Sequence, residues 1–320
     1  MAVRPRIVSL LPSATEIVCA LGLRESLVGV SHECDFPPGV AGLPVVTAPK
    51  IDAQRSSAEI DRDIRHLVEE GLGVYRIDTA RLRELRPDLI VTQDQCDVCA
   101  VSYGDVLRAV RELAGEKVEV VSLRPARIAN VWQDIERVGE AAGVGERGRE
   151  VAAALRDRLA ALERRTRHLA RPRLACLEWL DPLMAAGNWL PDLAETAGGT
   201  YTLAASGEHS RWLEWGALVD AAPDVLCIMP CGFTLAQSCR ELASLTAHAE
   251  WRQLPAVRTG RVFVADGSAY FNRPGPRLAE SAEILAALLH PDACRELLPP
   301  TGVLRVTGDG ATSSEAVLPC

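Results

Sequence analysis

The chain holds 320 residues, 48% hydrophobic and 24% charged, which is enough to bury one large or two ordinary cores and too apolar for global disorder. Its 35 basic and 43 acidic residues give a net charge of −8, which argues against a protein held mainly by nucleic-acid phosphates or by an anionic membrane surface. Aromatics make up only 4%, so a cluster of them stands out.

Ile7 to Leu11 reads as a short strand. Ser13 and Glu16 then match a capping box, followed by a helix with Ile17, Val18 and Leu21 on its buried stripe and Gly22 as its stop. Leu27 to Ser31 is a second strand, opening into a loop that contains Pro37-Pro38. Val45-Val46 reads as another short strand. A second capping box, Ser56 with Glu59, starts a helix through Ile60, Ile64 and Leu67. A short helix carrying Leu82 and Leu85 ends at Pro87. The apolar run Leu89 to Thr92 follows as a buried strand, then the turn from Gln93 to Cys99, a helix through Val106 and Val110, and a strand at Val118 to Val121. Strands alternating with helices predict a parallel sheet.

From 125 to 170 the helical spacing of Val131, Ile135, Val138, Val151, Leu155 and Leu159 predicts one long connecting helix, with Gly143-Val144-Gly145 as its one breaking point. A second α/β half then restarts. Strands are expected at Leu174 to Leu177, Val225 to Met229 and Val262 to Ala265, with helices at Leu190 to Ala197 and Arg277 to Leu289. The predicted organisation is an N-terminal lobe over 1–124, a connecting helix over 125–170, a C-terminal lobe over 171–297 and a flexible tail over 298–320. The stretch Leu82 to Val91 is echoed by Leu218 to Cys227: each is a short helix, a Pro-Asp turn and an apolar strand. Open α/β sheets bind ligands outside the carboxyl ends of their strands, so the expected site is a cleft between the lobes.

The opening apolar run is too short for a signal-peptide core and is interrupted by Pro12, and no stretch reaches the length of a spanning helix. The expected location is therefore cytoplasmic, without membrane insertion.

Several segments resemble the substrate-binding proteins for cobalamin and iron-chelate import, most nearly the cobalamin-binding branch. They are Arg6 to Glu16, Val28 to Ser31 with Asp35 to Pro38, Leu85 to Ile90, Ala197-Gly198-Gly199 and Pro223 to Leu226. The resemblance runs over most of residues 5–290. It implies an α/β fold of two lobes with mainly parallel sheets joined by one long helix, and binding rather than enzymatic turnover. The implied cargo is cobalamin, another corrinoid or a metal chelate, and the implied partner is an ABC transporter or a cobalamin-handling protein. Residues 51–78 look like an insertion relative to the family pattern.

Ligand-contact candidates are Ser31, Asp35, Phe36, Gln93 and Gln95 in the first half. In the second half they are Trp179, Asn188, Trp189, Phe233, Tyr270, Phe271, Asn272 and Arg273, since a flat apolar ligand needs aromatic walls and a few polar contacts. Arg273 meets a ligand phosphate or carboxylate, or is a surface charge. Trp212 and Trp215 are expected in the core.

Ten cysteines are many for an unexported chain. Cys19, Cys176 and Cys227 fall in apolar runs and read as core. Cys96 and Cys99 form a C-x-x-C that suits a metal, a redox pair or simple packing. With His32, Cys34 and Cys231 they compose an alternative metal set for zinc or an iron–sulfur cluster. His32 also suits the cobalt of a corrinoid held without its own base.

Overall fold

The computed structural model describes residues 4–70, 72–94, 102–112, 118–307 and 310–313. The chain forms two compact units. One comprises residues 1–55, 62–125 and 129–155, the other residues 56–61, 126–128 and 156–320.

The first unit is built on β1 (Ile7–Ser9), α1 (Pro12–Ala20), β2 (Leu27–Val30), β3 (Thr47–Pro49), α2 (Ser57–Glu69, whose first turn counts with the second unit), β4 (Tyr75–Ile77), α3 (Thr79–Leu85), β5 (Leu89–Gln93), α4 (Tyr103–Glu112), β6 (Glu119–Leu123) and α5 (Ile128–Ala141). Among the described residues its main sheet has the order β2-β1-β5-β6, parallel throughout. The chain steps from β1 outward to β2, then crosses back to β5. That reversal puts the topological switch point between β1 and β5. On one face Val8, Leu10, Val46, Leu82, Ile90 and Val106 make the core.

Several expectations are corrected here. The first capping box does not form. Pro12, which lacks an N–H and suits the first helical position, starts α1 with Leu11 as N-cap, so Ser13 lies inside the helix and its buried hydroxyl has no partner among the described residues. The Ser56–Glu59 box does form: Glu59 Oε2 accepts from Ser56 N at 3.1 Å and Ser56 Oγ at 2.8 Å. Val45 makes only an isolated bridge to Val30, and the strand begins at Thr47, paired antiparallel with the unexpected β4.

The predicted connecting stretch breaks at the expected Gly143-Val144-Gly145 point, giving α5 and the longer α6 (Gly145–Thr166), separated by a turn with Gly143 at φ 75°. Their close approach needs glycine, since a Cβ on Gly139 would lie 3.0 Å from Gly148 Cα. The division between units falls inside α6, at Leu155 and Arg156.

The second unit continues with β7 (Arg173–Leu180), β8 (Leu183–Ala185), α7 (Leu190–Thr196), β9 (Thr200–Tyr201), β10 (Arg211–Trp212), α8 (Trp215–Ala221), β11 (Val225–Ile228), α9 (Leu235–Thr246), α10 (Pro255–Arg258), β12 (Val262–Ala265), α11 (Leu278–Leu289), α12 (Pro291–Cys294), β13 (Val303–Val306) and β14 (Thr312–Ser313). Its sheet runs β10-β8-β7-β11-β12-β13-β14, with β9 on β7. The centre β7-β11-β12 is parallel, and β8, β10, β13 and β14 are antiparallel additions. The predicted flexible tail thus places β13 along β12, because Val303 and Val306 have a buried edge to cover.

Leu177, Leu226, Ile228, Val262 and Val264 point into one core with Leu242, Leu245 and Trp251. The alternate positions, Cys176, Cys227 and Phe263, face the other way and are equally buried. Cys176 and Cys227 are core as expected, and burial raises the Cys176 thiol pKa well above its ordinary value. Cys19 is only half-buried. Trp212 is 55% exposed on the edge strand β10, and Trp215 packs at the core margin, stacked on His248 at 4.3 Å.

Candidate functional site

In each unit the candidate residues gather at the carboxyl edge of that unit's own sheet. In the first unit, Ser31, His32, Cys34, Asp35 and Phe36 follow β2, and Gln93 ends β5. Ser31 is buried, and its Oγ accepts from Thr47 Oγ1 at 3.0 Å. Gln93 is buried, whereas Asp35 and Phe36 are exposed. Gln95, Cys96 and Cys99 lie outside the described residues.

The same edge carries a charged lattice that sequence reasoning missed. Arg124, just past β6, grips Asp94 with Nε and Nη2, the latter at 2.6 Å, and donates its backbone N–H to Asp134 at 2.9 Å. Arg137 pairs with Asp134 at 2.8 Å. Burial raises the Asp134 pKa to about 6, with the Arg124 and Arg137 hydrogen bonds working against it. Adjacency of Asp94 to Gln93 was the available signal.

Thr47 was also missed. Its hydroxyl stands between Ser31 and His32, and nothing in a lone threonine after Val45-Val46 announces that.

In the second unit, Trp179 closes β7 and meets Phe233 edge-on, ring centroids 5.2 Å apart. Phe233 is buried beneath it. The Trp179 Nε1–H is buried without a hydrogen-bond partner among the described residues. The segment from Gly187 to Trp189 is held against 208–210. A Cβ on Gly187 would sit 2.6 Å from Glu208 O, and Asn188 takes a left-handed φ of 54°. Gly187 N donates to Ser210 Oγ, which donates to Glu178 Oε2 at 2.8 Å. Trp189 Nε1 donates to Phe271 O at 2.7 Å.

Phe271 itself is 1% exposed and belongs to the core beneath the edge. Asn272 spends its amide on Met229 O and Gly267 O, pinning the loop after β12 to the end of β11. Arg273 is buried and donates to Ser268 Oγ at 3.1 Å, so it is not a surface charge. Tyr270 stays half-buried, with the Arg277 guanidinium 5.7 Å from its ring centre.

Among the described residues no group of three His, Cys, Asp or Glu could hold an ion; Cys96 and Cys99 of the alternative metal set lie outside those residues. The Cys34 thiol is buried, 3.0 Å from Thr15 Oγ1, and Cys231 belongs to the second unit. Nor is any helix of the described residues long and apolar enough to cross a membrane.

The periplasmic binding protein family model matches residues 7–269. The chain belongs to that family. It is therefore a binding protein rather than an enzyme, as the resemblance implied.

An uncharacterized ABC transporter substrate-binding lipoprotein of Bacillus subtilis is 23% identical, covering 91% of this chain and 82% of its own. The vitamin B12-binding protein of Vibrio cholerae is 25% identical over 89% of this chain and 88% of its own. Among solved structures, the periplasmic vitamin B12-binding protein of V. cholerae superposes with a TM-score of 0.64 at 22% identity, covering 89% of this chain and 96% of that one. A periplasmic heme-binding protein of Roseiflexus sp. RS-1 gives 0.67 at 23% identity, covering 91% and 100%. These likenesses bear out the two-halved α/β fold class of the family.

Proposed function

We propose that this periplasmic binding protein family member captures a corrinoid, cobalamin or a close variant, and hands it to an ABC transporter or another cobalamin-handling protein. The observation that carries the reading is the likeness to proteins named for vitamin B12 binding along about nine-tenths of this chain's length. The second unit's carboxyl edge supports it. Trp179, Trp189 and Tyr270, each partly exposed, stand there over a packed floor of Phe233 and Phe271. Aromatic faces with a few oriented polar groups suit a large, flat, largely apolar ligand.

The test is titration of purified protein with cyanocobalamin, hemin and a ferric hydroxamate, followed by quenching of tryptophan fluorescence and by calorimetry. Micromolar or tighter binding of the corrinoid alone is expected. Preference for hemin or the iron chelate would move the cargo to another branch of the family, and binding of none would overturn the reading. Cell fractionation reads the compartment. Recovery in the cytoplasmic fraction is what the sequence expectation requires, and recovery with membranes or periplasm would align the chain with its lipoprotein relative.

A further inference from the structure

His32 stands at the first position past β2 and is held by one oxygen. Thr47 Oγ1 accepts the His32 backbone N–H at 3.0 Å, lies 2.8 Å from His32 Nδ1, and donates to the buried Ser31 Oγ at 3.0 Å. A hydroxyl has one proton and two lone pairs. With the proton given to Ser31 and one lone pair filled by the backbone N–H, the other lone pair takes Nδ1–H. In the tautomer assigned from this hydrogen-bond network, Nδ1 carries the proton and the ring lone pair lies on Nε2. Among the described residues Nε2 has no hydrogen-bond partner, and it is not sealed from solvent. Tyr75 braces the ring at a centroid distance of 5.3 Å, with its own hydroxyl donating to Glu33 Oε1. Burial lowers the His32 pKa and so favours the neutral imidazole.

An imidazole whose far nitrogen is anchored by a hydrogen bond and whose near nitrogen is open is the usual form of a metal-ligating histidine. A bare zinc ion needs three or four protein ligands, and the described residues bring no such group together. One oriented nitrogen is instead matched to a metal whose other positions are already filled by its chelator. From this geometry we infer that His32 Nε2 is an axial ligand to the metal of a planar tetrapyrrole cargo that lacks an axial base of its own. The step is a ligand exchange: the Nε2 lone pair forms the metal–nitrogen bond, a metal-bound water leaves, and no electron changes owner. The inference rests on the cargo class proposed above.

The experiment uses the full chain, its His32→Ala variant and its Thr47→Val variant, with three probes: aquocobinamide, a corrinoid without a nucleotide base; hemin; and cyanocobalamin, whose axial positions are both occupied. In the unaltered protein, reduced cob(II)inamide should show nitrogen superhyperfine splitting in its electron paramagnetic resonance spectrum. In His32→Ala that splitting should vanish and aquocobinamide affinity should fall at least tenfold, a larger factor than any loss of cyanocobalamin affinity, with added imidazole restoring the splitting. Thr47→Val, which keeps His32 but releases Nδ1, should keep the splitting and lose affinity by a smaller factor. A His32-dependent Soret shift with hemin and none with the corrinoid would keep the inference and make the cargo an iron tetrapyrrole. Binding that is intact, with spectra and affinities indifferent to His32→Ala, would overturn this inference alone. Failure of the unaltered protein to bind any of the three would overturn the proposed cargo and this inference with it.

Discussion

The same corner is built once in each unit. In the first, Arg6 N donates to Asp88 Oδ2 at 2.7 Å and Asp88 N returns a bond to Arg6 O at 2.8 Å. In the second, Arg173 N donates to Asp224 Oδ2 at 2.9 Å and Asp224 N returns one to Arg173 O at 2.8 Å. Each aspartate follows a proline, and each preceding helix ends on a left-handed residue, Arg86 at φ 42° and Ala222 at φ 44°. In both cases the corner joins the base of one parallel strand to the next.

What differs is the opposite end of the strands. The first unit's carboxyl edge is polar, with His32, Asp94 and Arg124 on a short, purely parallel sheet. The second unit's is aromatic, with Trp179 and Trp189 on a sheet widened by antiparallel strands. A shared strand base therefore does not dictate the chemistry at the strand tips. The loops after the strands carry little of the packing and are free to differ.

The largest test of that contrast is in the core. Phe263→Ala removes a ring that is 2% exposed in the parallel centre of the wider sheet, and should cost about 3–5 kcal/mol in urea unfolding. A much smaller loss would mean that the antiparallel additions, and not β12, carry the second unit.

The next effect is confined to the first unit. Asp134 has a folded pKa of about 6 against an ordinary 3.8, so it holds its proton more tightly when folded. It therefore weakens the fold by on the order of 2–3 kcal/mol above pH 6, and that loss is relieved as pH falls from about 6 toward 4. In Asp134→Asn the dependence of the melting temperature on pH across this window should flatten.

At the aromatic edge, Trp179→Ala should weaken corrinoid binding roughly 10- to 100-fold, the loss of a ring worth about 1.5–3 kcal/mol. Phe36→Ala, on the polar edge, should weaken it by less than about threefold. Equal effects of the two would erase the division of labour between the edges.

The smallest effect compares the two corners. Asp224→Ala should cost about 1 kcal/mol, and Asp88→Ala, whose carboxylate is more exposed, about half that. The Arg173 guanidinium and backbone N–H lower the Asp224 pKa. That stabilisation is present above the unfolded carboxylate pKa and is lost as pH falls through the lower folded one. The difference between Asp224→Ala and its parent should accordingly shrink on acidification, the opposite sense to Asp134.

Much of the architecture was legible. The parallel strands β1, β2, β5, β11 and β12 are apolar runs buried on both faces, and α11 is buried on nearly every side, so local composition announces them. The antiparallel additions β8, β10, β13 and β14 were not legible. They are two to four residues long, and Arg211 and Trp212 are exposed on their strand. Such segments are strands only because a neighbour offers an unpaired edge. The helix start at Pro12 turned on a choice between two local signals, and the ring's fixed φ prevailed over the serine cap.

For the site, residue types and their placement after strands were readable from the chain, but roles were not. Phe271, expected as a ligand contact, is buried, and Asn272, expected likewise, also clasps Met229 O, whereas Thr47 looked like nothing and bonds His32. The sequence by itself determined the α/β class and the segments from which the site is drawn, because these follow from periodicity and turn chemistry along the chain, and its motifs carried the resemblance to the family. Only the tertiary structure decided which nitrogen of His32 stays open, which aromatics face outward and which carboxylate is raised toward neutrality. Those properties belong to contacts between residues far apart in sequence, where burial and a single shared hydroxyl set the outcome.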